Sequence, residues 1–195
     1  MRIELRATLV ALVLCTAMLG LAYPLALTGV SQVAFSDAAS GDLVSANGRV
    51  VGSKLIGQDF KSVPRYFQSR PSATGYSASA TAFSNAGPNS ADLRDALVAR
   101  AAAYLRRERP YDPTLTRADI PPDAVMTTGS NVDPHISPRD AAIQAHRVAR
   151  VRHLPLRRVQ TLIDDNTAGR ALGFIGSPGV NVLQLNLALD RETRS

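Results

Sequence analysis

ATLVALVLCTAMLGLAYPLALTGV, residues 7–30, lies between Arg6 and Ser31, and no charged residue occurs between Arg6 and Asp37. As a helix the stretch is about 36 Å long at 1.5 Å per residue. That exceeds the roughly 30 Å hydrocarbon core of a bilayer, so it predicts one transmembrane helix with a modest tilt. Pro24 is expected to kink or end this helix near its outer end, with Tyr23 at the interface. A cleaved signal peptide is the rival, with an apolar core of about 7 to 15 residues before a small-x-small site. Ala22 and Ala26 offer such a site. The apolar run continues well past that length, so an uncleaved anchor is expected.

Charge sets the orientation. Arg2 and Arg6 precede the span, while Asp37 and Asp42 follow it. The positive-inside rule puts residues 1–6 in the cytoplasm and everything after Val30 outside it. The only cysteine, Cys15, lies inside the span, so no disulfide forms within the chain. Leu12, Val13 and Leu14 precede it where lipidation needs a small residue, which favours an inert, packed thiol.

Of the 195 residues, roughly 160 remain after the anchor, enough for one domain with a real core. The formal net charge is +6, mostly from Arg, with Lys only at Lys54 and Lys61. A basic balance suits an acidic partner, lipid head groups or nucleic acid. Here acidic residues are interleaved with the basic ones, which reads as dispersed surface charge. Sparse aromatics and the absence of Trp argue against a nucleic-acid stacking surface.

Residues 31–42 read as a polar linker, 43–190 as a mixed α+β domain and 191–195 as a tail. Asn47-Gly48 between short apolar runs predicts a two-residue β-hairpin. Residues 70–89 have turn-forming composition and predict a long loop, of a length that is uncommon without a function. Ser90 or Asn89 is expected to cap a helix to about Arg107, with Leu93, Leu97, Ala101 and Leu105 on one face. Ser137, Pro138 and Asp140 mark a second helix start, with Ala142, Ala145, Val148 and Ala149 inward to about Arg152. A third helix is expected from Pro155, carrying Leu156, Val159, Leu162 and Ile163. Ala171 to Ile175 reads as a short strand. Leu183, Leu185, Leu187 and Leu189 alternate with smaller or polar residues, which predicts a half-buried strand.

Catalytic signatures are weak. Gly48-Arg-Val-Val-Gly52-Ser-Lys54 lacks the spacing of a phosphate loop and falls on the predicted hairpin. No Gly-x-Ser-x-Gly elbow occurs. Ser130, Asp133 and His135 are crowded into six residues, which fits an Asx-type turn better than a triad. His146 and His153, two turns apart, are too distant to share an ion without other ligands, and no established zinc-ligand pattern occurs. No metal is expected. The polar segments Arg70-Pro-Ser-Ala73, Ser84-Asn-Ala-Gly-Pro-Asn89 and Thr128–Pro138 fit two readings equally: contact surfaces, or loops that organise themselves.

These segments occur in a recognisable order. Gly52-Ser-Lys-Leu-Ile-Gly57-Gln58 is followed by Tyr66-Phe-Gln-Ser-Arg70-Pro-Ser-Ala73 and Ser84-Asn85-Ala-Gly87-Pro88. Next come Gly129-Ser130, Asp133-Pro-His-Ile-Ser-Pro138 and Asn181-Val-Leu-Gln-Leu-Asn-Leu-Ala-Leu-Asp190. With the N-terminal span, the chain resembles the C chain of the Kdp-type potassium-transporting P-type ATPase over nearly its whole length. Departures occur at Asn131-Val132, where the family usually has Gly-Leu, at Asn166 and Ala168, and at Ser177, where an acidic residue is usual.

The resemblance implies a non-catalytic accessory subunit of an ATP-driven potassium uptake complex in the bacterial inner membrane. Its implied partners are a potassium-pathway A chain, an ATP-hydrolysing B chain and a very small single-span subunit. It also implies a catalytic-chaperone role that raises the ATP affinity of the B chain. ATP is thus implied as a cofactor through the family alone, and an outward-facing domain conflicts with direct contact. Arg70, Pro71, Ser72, Asn85, Gly87, Pro88, Ser130, Asp133, His135 and Asn181 are the expected partner-contact or loop-organising residues. Ala7, Ala11, Gly20 and Ala22 offer small surfaces for helix packing in the membrane. The alternative is an independent membrane-anchored envelope binding domain with no pump partner.

Overall fold

The computed structural model describes residues 2–61, 63–80 and 85–193. Ser84 of the second polar segment lies outside them. Two compact units divide at Leu43/Val44.

The first unit is a continuous helical rod. Helix α1 (Arg2–Cys15) passes through a π-helical stretch (Thr16–Ala22) into α2 (Tyr23–Ala34), and a short α3 (Ser36–Ala39) follows. Pro24 does not end the helix, which runs on to Ala34. Proline lacks an N–H, and its ring would crowd the carbonyl four residues back. The ladder therefore widens just ahead of it, and Tyr23 N–H donates to the Met18 carbonyl five residues back. The helix runs on through residues expected as linker. Glu4–Ala34 is long and apolar enough to cross a membrane, and none of residues 4–30 is buried in the chain itself. Thr8 and Thr28 return their hydroxyls to the Glu4 and Pro24 carbonyls at 2.8 Å, so neither needs an outside partner.

The second unit mixes helices with two small sheets. Strands β1 (Leu43–Ala46) and β2 (Arg49–Ser53) form the hairpin expected from Asn47-Gly48, and both turn residues have positive φ, 52° and 74°. Three more strands, β3 (His135–Ile136), β4 (Thr167–Ala168) and β5 (Gly179–Asn181), form an antiparallel sheet in the order β3-β5-β4.

Among the described residues the domain has four α-helices, α4 (Ala91–Glu108), α5 (Pro138–Arg152), α6 (Leu156–Asp165) and α7 (Val182–Glu192), and two short 3-10 turns, Arg117–Asp119 and Pro122–Ala124. Ser90 and Ser137 cap α4 and α5 by accepting from Leu93 N and Asp140 N. The core is built on α5. Its Ala141, Ala145, Val148 and Ala149 meet Val159, Leu162 and Ile163 of α6 and Val182, Leu185 and Leu189 of α7, with Phe67, Ile136 and Val180 closing it.

Four sequence expectations are corrected. The alternating leucines of 183–189 are a helix, not a strand: Asn181 caps it through Gln184 N, and Val182, Leu185, Asn186 and Leu189 recur at helical spacing on the buried face. On α5 the inward position is Ala141, whereas Ala142 is exposed. On α4, Ala101, Tyr104 and Glu108 are buried, while Leu93, Leu97 and Leu105 are only partly covered. The segment 171–175 is a tight turn closed by a single Ala171–Ile175 bridge, with positive φ at Leu172 and Gly173.

Candidate functional site

Two of the polar segments singled out in the sequence, Arg70–Ala73 and Thr128–Pro138, meet on one face of the domain. Gly57 N–H donates to the Val132 carbonyl at 2.7 Å, and its bare Cα lies against the Asp133 backbone. Only glycine fits, because a Cβ there would come within 2.6 Å of the Asp133 carbonyl oxygen. Arg70 Nη1 donates to Asp133 Oδ2 at 3.2 Å. The other carboxylate oxygen accepts from His135 N–H at 2.9 Å, an Asx turn, and lies 3.5 Å from His135 Nδ1. Asn181 stands beside His135 across β3–β5, and its Nδ2 donates to the Lys54 carbonyl at 2.8 Å.

Arg70, Asp133 and His135 thereby share a cleft of about 470 Å³ with Asp123, Ser137, Ser177 and Gly179. Pro71 and Ser72 continue from it. Ser72 Oγ accepts from Tyr76 N–H at 2.9 Å, and the Tyr76 hydroxyl donates back to the Arg70 carbonyl at 2.7 Å. Burial pushes the Tyr76 phenol up to about 12, so it remains a donor at any physiological pH. Asn85 is elsewhere, in a second cleft of about 560 Å³ with Ser90, Arg100, Thr128 and Gly129. Gly87 and Pro88 are exposed, and the Gly87 carbonyl accepts from Ser90 N–H. Ser130 is exposed, and its Oγ accepts from Val132 N–H at 3.3 Å. Ala7, Ala11, Gly20 and Ala22 are all exposed on the rod. Ala7 and Ala11 share a face one turn apart, whereas Gly20 and Ala22, two residues apart, do not.

The cleft joins an ion pair, an Asx turn and a helix cap. Its Ser137 hydroxyl accepts from Asp140 N as a helix cap, and its Ser137 N–H donates to Asp123 at 2.7 Å. Among the described residues no group of three or more His, Cys, Asp or Glu side chains is placed to hold a metal ion.

What fixes this face was not visible in the sequence. Tyr66–Ser69 belongs to no sheet, yet side chains satisfy its backbone. Asn186 takes the Phe67 N–H at 2.8 Å and returns a bond to the Phe67 carbonyl at 3.0 Å. Gln144 does the same for Gln68, at 2.7 and 3.2 Å. Each carboxamide stands in for a neighbouring strand. Arg147 reaches the Tyr66 carbonyl at 2.9 Å and also that of Pro64. Arg152 donates to the Arg65 carbonyl at 2.7 Å and to Asp190 at 2.9 Å, and the Tyr66 hydroxyl meets the other Asp190 oxygen at 2.7 Å. Beneath them Tyr104 donates to Asp140 at 2.6 Å. Burial pushes the Asp140 carboxyl up to about 6 and holds the Tyr104 phenol far above its usual range. A buried polar side chain on α5 looks like a surface residue in sequence. The one available signal was Gln144 and Arg147 sitting three apart among inward alanines.

The ordered motifs, now joined in space, match a known family model: KdpC, the K+-transporting ATPase c chain, aligns with residues 5–191. The chain belongs to the KdpC family. A potassium-transporting ATPase KdpC subunit of Caulobacter vibrioides is 52% identical over 96% of this chain and 92% of its own length. KdpC subunits of Dechloromonas aromatica and Mycobacterium tuberculosis are 47% and 45% identical, each over at least 97% of both chains. The chain is therefore an accessory subunit of a potassium pump. At Asn131, where the resemblance implies glycine, the backbone accounts for the residue present. Asn131 has φ +60°, a region that glycine enters freely and asparagine tolerates, and its Oδ1 accepts from Ala73 N–H at 2.8 Å.

Proposed function

We propose that this chain is a non-catalytic subunit of the bacterial inner membrane, with its N-terminus in the cytoplasm and its α+β domain outside. Its work is to hold the pump together and to shape the outer approach to the potassium pathway. Its partners are the potassium-pathway chain, the ATP-hydrolysing chain and the very small single-span subunit. The observation that carries this reading is the uninterrupted helix Glu4–Ala34, exposed along its apolar length, with Arg2 and Arg6 before it and Asp37 and Asp42 after it. In the membrane, Ala7, Ala11, Gly20 and Ala22 allow close approach of partner helices. Outside it, Arg70, Pro71, Ser72, Asp133, His135 and Asn181 form one contact face, and Asn85, Gly87, Pro88 and Ser130 extend the surface available to a partner.

The Gly48–Lys54 segment is not a phosphate loop: it forms the β1–β2 turn, β2 and the residue after it, rather than a turn that opens a helix. The first turns of α4, α5 and α7 are capped by Ser90, Ser137 and Asn181, and the first two also carry Asp92 and Asp140, while α6 has no side-chain cap. With the domain outside the cytoplasm, any rise in ATP affinity is exerted through the hydrolysing partner, by favouring one of its conformations.

Labelling tests the placement. In a Cys15→Ser background, Asn89→Cys puts one thiol on the exposed turn before α4 without removing the Ser90 cap. A membrane-impermeant maleimide should label it in intact cells. Labelling only after lysis overturns the orientation.

A further inference from the structure

Strands β4 and β5 form an antiparallel pair with Ala168 opposite Gly179, so residues 169–178 are the loop of a hairpin. The tip of that loop is ordered by its own backbone. Ala171 and Ile175 exchange both N–H···O=C bonds at 2.9 Å, Gly173 N–H donates to the Arg170 carbonyl, and Phe174 N–H donates to the Ala171 carbonyl. Its base is firm, because β5 is the central strand and Val180 is fully buried.

This preformed finger carries its apolar side chains outward. Leu172 is 83% exposed, Phe174 71% and Ile175 52%. Elsewhere in the domain, Val98 and Met126 stand alone in separate segments, and Leu43, Val50, Val51 and Leu55 are spread along the β1–β2 hairpin and the turn after it. Here three stand within four residues. Scattered apolar residues are ordinary on a surface, whereas a cluster marks a site that something else covers.

Charge identifies what covers it. Arg170 is the one charged residue between Asp165 and Asp190, and it sits at the base of the tip. A segment that docks on lipid head groups gathers several Lys or Arg around its apolar side chains. One arginine beside Leu, Phe and Ile instead matches a protein interface, with an apolar centre depleted of charge and a polar rim. We infer that the 171–175 finger inserts into an apolar recess, rimmed by a carboxylate that pairs with Arg170, on another subunit of the same potassium pump. The inference rests on the reading of this chain as a pump subunit.

The test uses the full chain expressed with the other pump subunits and purified in mild detergent. A photo-crosslinking residue in place of Phe174 should link to a pump subunit identified by mass spectrometry. The double variant Leu172→Asn/Phe174→Ser should lower the co-purified partner subunits at least tenfold, while its own thermal unfolding stays unchanged because both side chains are exposed. Phe174→Leu should retain most of the yield. Full co-purification of the double variant, or crosslinks to lipid alone, overturns the finger while leaving the pump-subunit reading intact. Failure of the unmodified chain to co-purify at all overturns both.

Discussion

The Arg147 guanidinium lies against the Glu108 carboxylate, with Nε 3.0 and 3.2 Å from its two oxygens and both side chains 1% exposed. The pair joins α4 to α5, and the remaining Arg147 nitrogens hold the backbone of Pro64 and Tyr66 and the side chain of Gln144. Burying two charges is costly, and removing one partner leaves the other uncompensated. Glu108→Gln should therefore destabilise the domain by about 3–5 kcal/mol, read by chemical denaturation. Arg107 also pairs with Glu108 but is 34% exposed, and Arg107→Ala should cost about 1 kcal/mol or less. Equal costs for the two would show that the α4–α5 pair does not hold the fold.

Asp140 gives a pH signature. Burial raises its carboxyl from 3.8 to about 6, against the opposing bonds from Tyr104 and Gln144. Between about pH 4 and pH 6 the folded chain keeps a proton that the unfolded chain has released. This group's contribution to stability therefore falls as pH rises through that window, by roughly 3 kcal/mol, and is flat above it. Asp140→Asn removes the titration. The wild-type stability minus that of the variant should decline from about pH 4 to pH 6 and then level off. A difference independent of pH across that range would refute the buried, proton-holding carboxyl.

Gly57 separates backbone packing from surface shape. Gly57→Ala places a Cβ 2.6 Å from the Asp133 carbonyl oxygen and 3.3 Å from that of Val132. The loop carrying Asp133 and His135 must give way, at about 1–3 kcal/mol. Gly87→Ala meets nothing within 4 Å and should stay within about 0.5 kcal/mol. Thermal unfolding of the two variants checks the contrast, and equal melting temperatures would contradict the close approach.

Local rules carried much of the fold. The Asn47-Gly48 turn, the Ser90 and Ser137-Pro138 helix starts and the apolar face of α6 all depend on neighbours a few residues away. The apolar span needs only its own composition. What the sequence concealed depends on distant partners. Leucine alternation at 183–189 imitates a strand, but Asn181 as a cap and the Phe67 backbone waiting for Asn186 make it a helix. Gln68, Gln144, Arg147 and Glu108 look like surface residues until they meet across the core. At the candidate site, the ordered motifs named Arg70, Asp133, His135 and Asn181, which fall together, yet nothing in the spacing of Asn85 showed that it lies in another cleft.

Potassium-stimulated ATP hydrolysis by the purified pump, assembled with and without this chain, tests its role as an accessory subunit most directly. Omission should reduce assembly and activity at least tenfold, roughly 1.4 kcal/mol or more of lost coupling, and adding back the full-length chain should restore both. A pump that assembles and hydrolyses ATP equally well without the chain would contradict the account.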